Sequence, residues 1–329
     1  MNLKEKIAKI VDFDPNMIKI ADLIQKSKKI AILGHADPDI DCIGSQISLQ
    51  KALCNLGFNA YTVNNGPFEN NLSSYKDLFI PEVLENTDLI IVVDNSSVDR
   101  ISSNKKIDLS KTVVIDHHYT NSGYGLINFV NENYVSASEM VFILLAYMNV
   151  DFSDKEITQW LLNGILSDNG YYRHIRVDKF FSLIASYFLI ELGADPSSAY
   201  KNMFCNSSVN DVKLLGLLLN RIESTKNELI VSTWINDEDK NRYLSSVSSL
   251  FLFKEMMTIK NAKIFIFYKI IENENKVIVS LRSDEEYNVA AVAEQLGGGG
   301  HKVAAGASVQ GSYAEVKEKV LSIINDLIK

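Results

Sequence analysis

The sequence predicts an α/β protein: a mostly parallel N-terminal sheet with helices on both faces, then a smaller C-terminal α/β domain with a mixed sheet. Three observations predict it. Short apolar runs at 29–33 (KIAIL), 59–63, 88–93 and 111–115 alternate with stretches of helical apolar spacing, the pattern that builds a parallel sheet. Polar residues gather just after three of these runs, in 34–45 (GHADPDIDCIGS), at Asp94 and at Asp116-His117-His118. The carboxyl ends of parallel strands meet along one edge, where such folds bind ligands. Past Asp195-Pro196 the composition shifts toward Ser, Asn and Lys and a new alternation begins.

Taken in order, 29–33 is the first strand and 43–56 the helix after it. Residues 59–63, 88–93 and 111–115 are further buried strands, with helices at 136–148, 155–166 and 178–192, the last closed by Gly193. The chain therefore divides into 1–193, a linker region at 194–226 and a second domain at 227–329. In the second domain 229–234, 262–271 and 276–282 read as strands and 288–296 as a helix before the glycine run 297–300. Residues 313–328 form an amphipathic closing helix. No internal repeat or low-complexity tail is present.

With 329 residues and 47% hydrophobic content the chain can bury two cores. Its longest apolar stretches, such as 141–147, fall far below the roughly 18 residues of a membrane span. The charges scattered through MNLKEKIAKIVDFD are unlike a secretory signal, so a cytoplasmic protein is expected. Cys42, Cys54 and Cys205 have neither paired spacing nor a CxxC, and read as buried thiols rather than disulfides or zinc ligands. A net charge of -8 excludes a long basic track along duplex nucleic acid. A short phosphate-bearing substrate, its charge met locally, is compatible with that balance.

His35, Asp39 and Asp41 share a loop that Pro38 keeps out of a helix. Asp94 ends LIIVVD, where its two oxygens can bridge two cations about 3.5 to 4 Å apart. His117 and Asp168, the latter in GILSDNGYYR, complete an inventory of two imidazoles and four carboxylates. Such donors suit Mn²⁺ or Mg²⁺ better than zinc, and histidine favours manganese of the two. Each residue read alone has a plainer role: Asp39 and Asp41 as turn formers or helix caps, Asp94 as a cap for Asn95-Ser96-Ser97, Asp168 as a turn residue. The joint arrangement decides otherwise, since four of the five histidines fall in candidate site segments and the fifth, His174, lies six residues past Asp168.

At these residues the chain resembles the DHH phosphoesterase family, named for the triplet seen here as Asp116-His117-His118. All four N-terminal motifs occur in order, and GGGGHKVAAG at 297–306 is similar to the signature of the DHH-associated domain. The text from 280 to 306 is closest to the nanoRNase and pAp-phosphatase branch. The resemblance implies that 1–193 is a catalytic metal-binding domain and 227–329 a substrate-binding one, with the active site in the cleft between them. His35, Asp39 and Asp94 would hold one manganese and Asp41, Asp94, His117 and Asp168 the other. Which histidine of the pair binds metal is open at this point. Asp94, Asp116 and His118 would be catalytic, with His118 facing the phosphate, Asp116 orienting the imidazoles and Arg100 supplying charge. Arg282, the amides of Gly298, Gly299 and Gly300, and His301 would grip substrate, although a glycine run read alone is a flexible linker. Asn169 departs from the family's threonine.

The implied activity is manganese-dependent hydrolysis of short oligonucleotides to mononucleotides, with pAp as a further substrate, through metal-activated water. Mg²⁺ is the alternative ion. The implied partners are short RNA or DNA oligonucleotides, pAp or dinucleotides, and a second copy in a homodimer, with no membrane and no long duplex. Two rival readings stand beside it: a phosphodiesterase of linear or cyclic dinucleotide messengers, and a non-catalytic RNA-binding protein.

Overall fold

The computed structural model describes residues 2–68, 72–173, 175, 177–205, 207–244 and 249–328. The chain forms two compact units, Met1–Asn206 and Ser207–Lys329. In the first, β1 (Lys29–Leu33), β2 (Asn59–Val63), β3 (Leu89–Val93), β4 (Thr112–Asp116) and β5 (Ile127–Val130) make an all-parallel sheet in the order β2-β1-β3-β4-β5. Every residue of β3 and β4 is buried, as expected of strands covered on both faces. Ile30, Ile32, Ile91 and Val93 face the main core, while Ala31, Leu33, Ile90 and Val92 face a second cluster on the other side. The strand order reverses between β1 and β3, and the crevice beyond their carboxyl ends is the topological switch point.

Seven helices complete the description of this unit: α1 (Leu3–Ile7), α2 (Pro15–Lys26), α3 (Ile40–Asn55), α4 (Ala137–Tyr147), α5 (Lys155–Asp168), α6 (Phe181–Glu191) and α7 (Pro196–Phe204). α3 begins three residues before the expected 43, because Asp39 caps it by accepting a hydrogen bond from the Cys42 amide (3.0 Å). α3 and α5 pack so closely that a Cβ on Gly44 would lie 2.6 Å from the Trp160 carbonyl oxygen. Edge strand β5 was not expected from the sequence; it is four residues long and α2 covers its margin, with Asn16 donating to the Asn128 carbonyl (2.9 Å).

The second unit opens with α8 (Val209–Asn220), so the segment 194–226 carries two helices, α7 and α8, and the strand β6 (Glu223–Thr225). β7 (Ile230–Ile235), β8 (Ile264–Ile271), β9 (Lys276–Ser283), β10 (Gly299–His301) and β11 (Ala304–Gln310) extend β6 into a mixed sheet in the order β10-β11-β9-β8-β7-β6. Only β7 and β8 run parallel; the other pairs are antiparallel. α9 (Asp237–Tyr243) and α10 (Ser249–Met256) follow β7. α11 (Val289–Gln295) and α12 (Tyr313–Leu327) lie over the face bearing Val277, Val279 and Leu281. α8 and α10 cover the other, with Leu214, Leu218, Leu252 and Phe253 against Val231 and Phe265.

The glycine run belongs to this sheet and is no flexible linker. Gly297 (φ 80°) ends α11, with its amide on the Glu294 carbonyl (3.0 Å) and the Gly298 amide on Ala293 (2.8 Å), a Schellman closure. A Cβ on Gly298 would lie 2.1 Å from the Gly306 oxygen, and one on Gly300 2.6 Å from the Ala304 oxygen, so β10 and β11 approach only because those side chains are missing. Gly299 is different: a Cβ there would meet nothing within 4 Å. Among the described residues no helix is long and apolar enough to cross a membrane.

Candidate metal centre

Three strand ends and two helix ends build the centre. β1 delivers His35, the first turn of α3 delivers Asp41 beside its cap Asp39, and Asp94 follows β3. β4 ends in Asp116 and hands on to His117 and His118, and Asp168 is the last residue of α5. Asp94 has φ 52°, a left-handed conformation that costs a non-glycine residue about 1 kcal/mol or more and is sustained where surrounding contacts hold it.

The six expected donors come together around Asp94. Its Oδ2 lies 3.4 Å from His35 Nε2 and its Oδ1 3.3 Å from His117 Nε2. His117 Nε2 is also 3.4 Å from Asp168 Oδ2, and His35 Nε2 is 4.0 Å from Asp39 Oδ2. Asp41, His117 and Asp168 form a compact group of their own. His35 Nδ1 sits 2.8 Å from the Ala36 carbonyl, an acceptor, which assigns a proton to Nδ1 and turns Nε2 toward two carboxylates. Asp94 Oδ1 and His117 Nε2 are buried without a hydrogen-bond partner. Carboxylates and imidazole nitrogens crowded into a buried crevice call for positive charge among them, which a bound cation supplies. The residues present therefore fit a metal, and carboxylates with imidazoles fit a hard or borderline divalent ion.

Charge balance says the same. Burial raises the Asp41 carboxyl to about 7, helped by the Asp94 charge. Burial also raises Asp168, together with the charges of Asp41, Asp39 and Asp94. Burial acts against charge on His117, yet the adjacent Asp94 carboxylate outweighs it and pushes the imidazole up to about 9. For Asp94 the contest between burial and the two histidines goes the other way, and it is held below the usual carboxylate range. Four carboxylates thus share too little positive charge from their own neighbours.

The two histidines of the triplet are used differently. His118 Nδ1 is 2.7 Å from Asp116 Oδ1, and the other Asp116 oxygen accepts from Asn121 Nδ2 (2.7 Å). Asp116 is fully buried, whereas the His118 ring is one-third exposed. Arg100 is exposed, with Nη2 3.5 Å from His35 Nδ1; both atoms carry hydrogens, so the contact is proximity and no hydrogen bond. Asn169 is buried: its Oδ1 accepts from the Tyr172 amide (2.8 Å), and its Nδ2 has no partner. Tyr171 packs against Tyr200 and Phe204.

Arg282 and Gly298–300 belong to the second unit. Arg282 is half-buried on β9, its guanidinium 5.1 Å from the Phe253 ring centre and donating to the Leu281 carbonyl (2.9 Å). The side chain of His301 and the whole of His174 lie outside the described residues.

Residues 29–165 match the DHH family, N-terminal domain, and residues 245–329 match the DHHA1 domain. The chain carries a DHH domain followed by a DHHA1 domain. It is 27% identical to the bifunctional oligoribonuclease and PAP phosphatase NrnA of Thermus thermophilus over 90% of this chain and 89% of that one. It is 24% identical to the cyclic-di-AMP phosphodiesterase PdeA of Listeria monocytogenes, over 93% of this chain and 49% of the relative. The crystal structure of an exopolyphosphatase-related protein from Bacteroides fragilis has the same fold, with a TM-score of 0.84 at 21% identity, covering 94% of this chain and 96% of that one.

Around this DHH centre stand groups the sequence reading did not single out. The Ala137 and Ser138 amides at the start of α4 donate to the two Asp41 oxygens (2.6 and 3.0 Å), a helix N-terminus holding a carboxylate. Next in α4, buried Glu139 accepts from the Val135 amide (3.1 Å) and from Ser182 Oγ. Cys42 is a buried thiol as expected, and it lies in reach of His35 and Asp94, whereas Cys54 and Cys205, also expected to be buried, are exposed. The only local signal for α4's role was the Ser-x-x-Glu capping pattern at Ser136 and Glu139, which marks a helix start but names no target.

Proposed function

We propose that this DHH family phosphoesterase hydrolyses very short oligonucleotides to mononucleotides and dephosphorylates pAp, using manganese. One observation carries the reading: the side chains of His35, Asp39, Asp41, Asp94, His117 and Asp168 converge with Asp94 in the middle. His35, Asp39 and Asp94 would hold one ion; Asp41, Asp94, His117 and Asp168 the other. Two imidazoles among the ligands favour Mn²⁺ over Mg²⁺, and the absence of a thiolate from this set disfavours zinc. When bound, such a pair neutralises phosphate charge and makes a water nucleophilic at neutral pH.

The remaining work falls to the chain. Asp41 is pinned by two α4 amides, so its oxygens need no rearrangement to serve as ligand. Asp116 accepts from His118 Nδ1–H and so fixes the orientation of that ring, whose other nitrogen is left for a phosphate oxygen. Arg100, exposed close to His35, adds positive charge at the rim. No protein nucleophile is required.

Similarity to NrnA over nine-tenths of both chains supports the substrate class, and the DHHA1 match supports a domain that grips it. The similarity to PdeA supports a second reading, hydrolysis of dinucleotide messengers at the same centre. The test is a side-by-side rate comparison on pAp, dinucleotides, a pentanucleotide RNA and cyclic dinucleotides with Mn²⁺. Fastest turnover of pAp and di- to pentanucleotides is expected. Preference for cyclic dinucleotides would favour the second reading, and no turnover by folded, metal-bound protein would favour a non-catalytic RNA binder.

Three variants examine the grip. Arg282→Ala is expected to raise KM about tenfold or more while kcat changes by less than about threefold, since Arg282 belongs to binding and not to the metal centre. Gly299→Ala, with open space for its Cβ, is expected to keep the wild-type melting temperature and still raise KM. Gly298→Ala collides with the Gly306 carbonyl and should lower the melting temperature itself. Steady-state kinetics and thermal unfolding separate these outcomes; an unchanged KM for Gly299→Ala would remove that glycine from the substrate site.

A further inference from the structure

Two tyrosines stand exposed on the segments that leave the metal centre. Tyr119 directly follows His118 and is 78% exposed, more than any other described aromatic residue. Tyr172 lies four residues past Asp168 and is 39% exposed, whereas its neighbour Tyr171 is half-buried against Tyr200 and Phe204. The two segments start from adjoining side chains, because His117 Nε2 lies 3.4 Å from Asp168 Oδ2. A single exposed tyrosine is ordinary on a protein surface. Two beside one buried donor cluster ask for a reason.

Their backbones are fixed although their rings face solvent. Tyr119 occupies a tight turn closed by the Asn121 amide on the His118 carbonyl (3.1 Å). The Asn121 side chain anchors that turn, donating to the Asn95 carbonyl (3.1 Å) and to Asp116 Oδ2 (2.7 Å). Tyr172 has φ 68°, the third left-handed residue in a row after Gly170 and Tyr171, and Asn169 Oδ1 holds its amide at 2.8 Å. Strain of this kind persists where contacts impose it, and it gathers at ligand-binding segments. Asn169, where the family resemblance leads one to expect threonine, thereby fixes the segment that carries Tyr172. A tyrosine presented on a rigid turn offers a broad flat surface with little conformational entropy to lose on binding.

We propose that Tyr119 and Tyr172 are stacking platforms for nucleobases, so that this centre selects phosphoesters that carry bases over those that do not. The proposal rests on the phosphoesterase reading above and names what the first unit recognises in a substrate besides phosphate. Charge favours it. With a net charge of -8 the chain has little of the basic surface by which proteins hold polyanions, and stacking is the sequence-tolerant alternative. The contact needs the ring and not the hydroxyl, so phenylalanine replaces tyrosine at either position.

Steady-state kinetics with Mn²⁺ on the dinucleotide pApA, and on the same dinucleotide lacking both bases, read the selection. The parent is expected to favour pApA by about 100-fold or more in kcat/KM, each platform supplying about tenfold. Tyr119→Ala and Tyr172→Ala should each raise KM for pApA about tenfold and change kcat by less than about twofold. Turnover of the baseless dinucleotide and the melting temperature should stay those of the parent. Tyr119→Phe and Tyr172→Phe should match the parent on every count, a rescue that a hydrogen-bonding role for the hydroxyls would not give. Calorimetric titration with pAp, and with the same bisphosphate lacking its base, reads binding apart from turnover when Ca²⁺ replaces Mn²⁺. The double alanine variant should bind pAp about tenfold more weakly than the parent and the baseless compound equally well. Alanine variants that keep the parent's KM for pApA, or a parent that binds pAp no better than its baseless analogue, would overturn the proposal and leave the hydrolase reading standing. A parent without turnover whose binding of pAp still depends on the two rings would keep the platforms and remove the phosphoesterase.

Discussion

Asp94→Ala is expected to abolish turnover on every phosphoester offered, with kcat falling on the order of 10³-fold or more. Among the described residues no other carboxylate stands between both imidazoles: Oδ2 faces His35 at 3.4 Å and Oδ1 faces His117 at 3.3 Å. Removing it takes a ligand from both proposed ions at once, so the loss cannot be confined to one substrate or recovered by raising substrate concentration. Calorimetric titration with Mn²⁺ should show both binding events weakened, a readout that does not depend on turnover. The contrast with Arg282→Ala carries the argument, because a binding residue moves KM and a shared ligand moves kcat. Equal losses of kcat in the two variants would contradict that division, and an Asp94→Ala protein that still bound two ions tightly would remove Asp94 from the bridging position.

Gly164→Ala is expected to cost stability and metal affinity together. A Cβ at this position would lie 2.0 Å from Ser138 Oγ, 2.9 Å from Ser138 Cβ and 2.7 Å from Asp41 Oδ1. Rotating the hydroxyl relieves the first contact but not the second, so α5 must back away from the start of α4, where the Ala137 and Ser138 amides hold Asp41. Overpacking of this kind costs about 3 kcal/mol, which lowers the melting temperature of a domain of this size by roughly 6 to 12 °C. Displacing a ligand's supports typically weakens metal binding about 10- to 100-fold. Thermal unfolding with and without Mn²⁺, beside calorimetric titration, reads both effects. A variant that melts early but binds Mn²⁺ as tightly as the parent would mean that Asp41 is not a ligand.

The recurring feature is a carboxylate held in place by hydrogen bonds from the surrounding chain. Asp41 and its two amide donors are 96 and 97 residues apart along the chain, and Asp116 is held between a neighbouring imidazole and Asn121. Such supports are as much a part of the centre as its ligands, because they remove the freedom the ligands would otherwise have to lose on binding.

The donors and the strands that carry them were legible in the sequence by itself. An apolar run of five residues followed by a histidine or aspartate is a local pattern, and parallel strands bring their carboxyl ends together wherever helices alternate with them. His35, Asp94 and His117 therefore fall into one group on local pattern alone. Tertiary structure alone decided the rest. It set His117 between Asp94 and Asp168 while giving His118 to Asp116, a distinction two adjacent identical residues cannot express. It turned four glycines into a helix closure and an edge strand, although glycine has low strand propensity, because close backbone approach to β11 outweighed it. It also aimed the amides of α4 at Asp41. Periodicity and capping are properties of neighbouring residues, whereas these contacts join residues far apart in the chain and exist only once the sheet and its helices have packed.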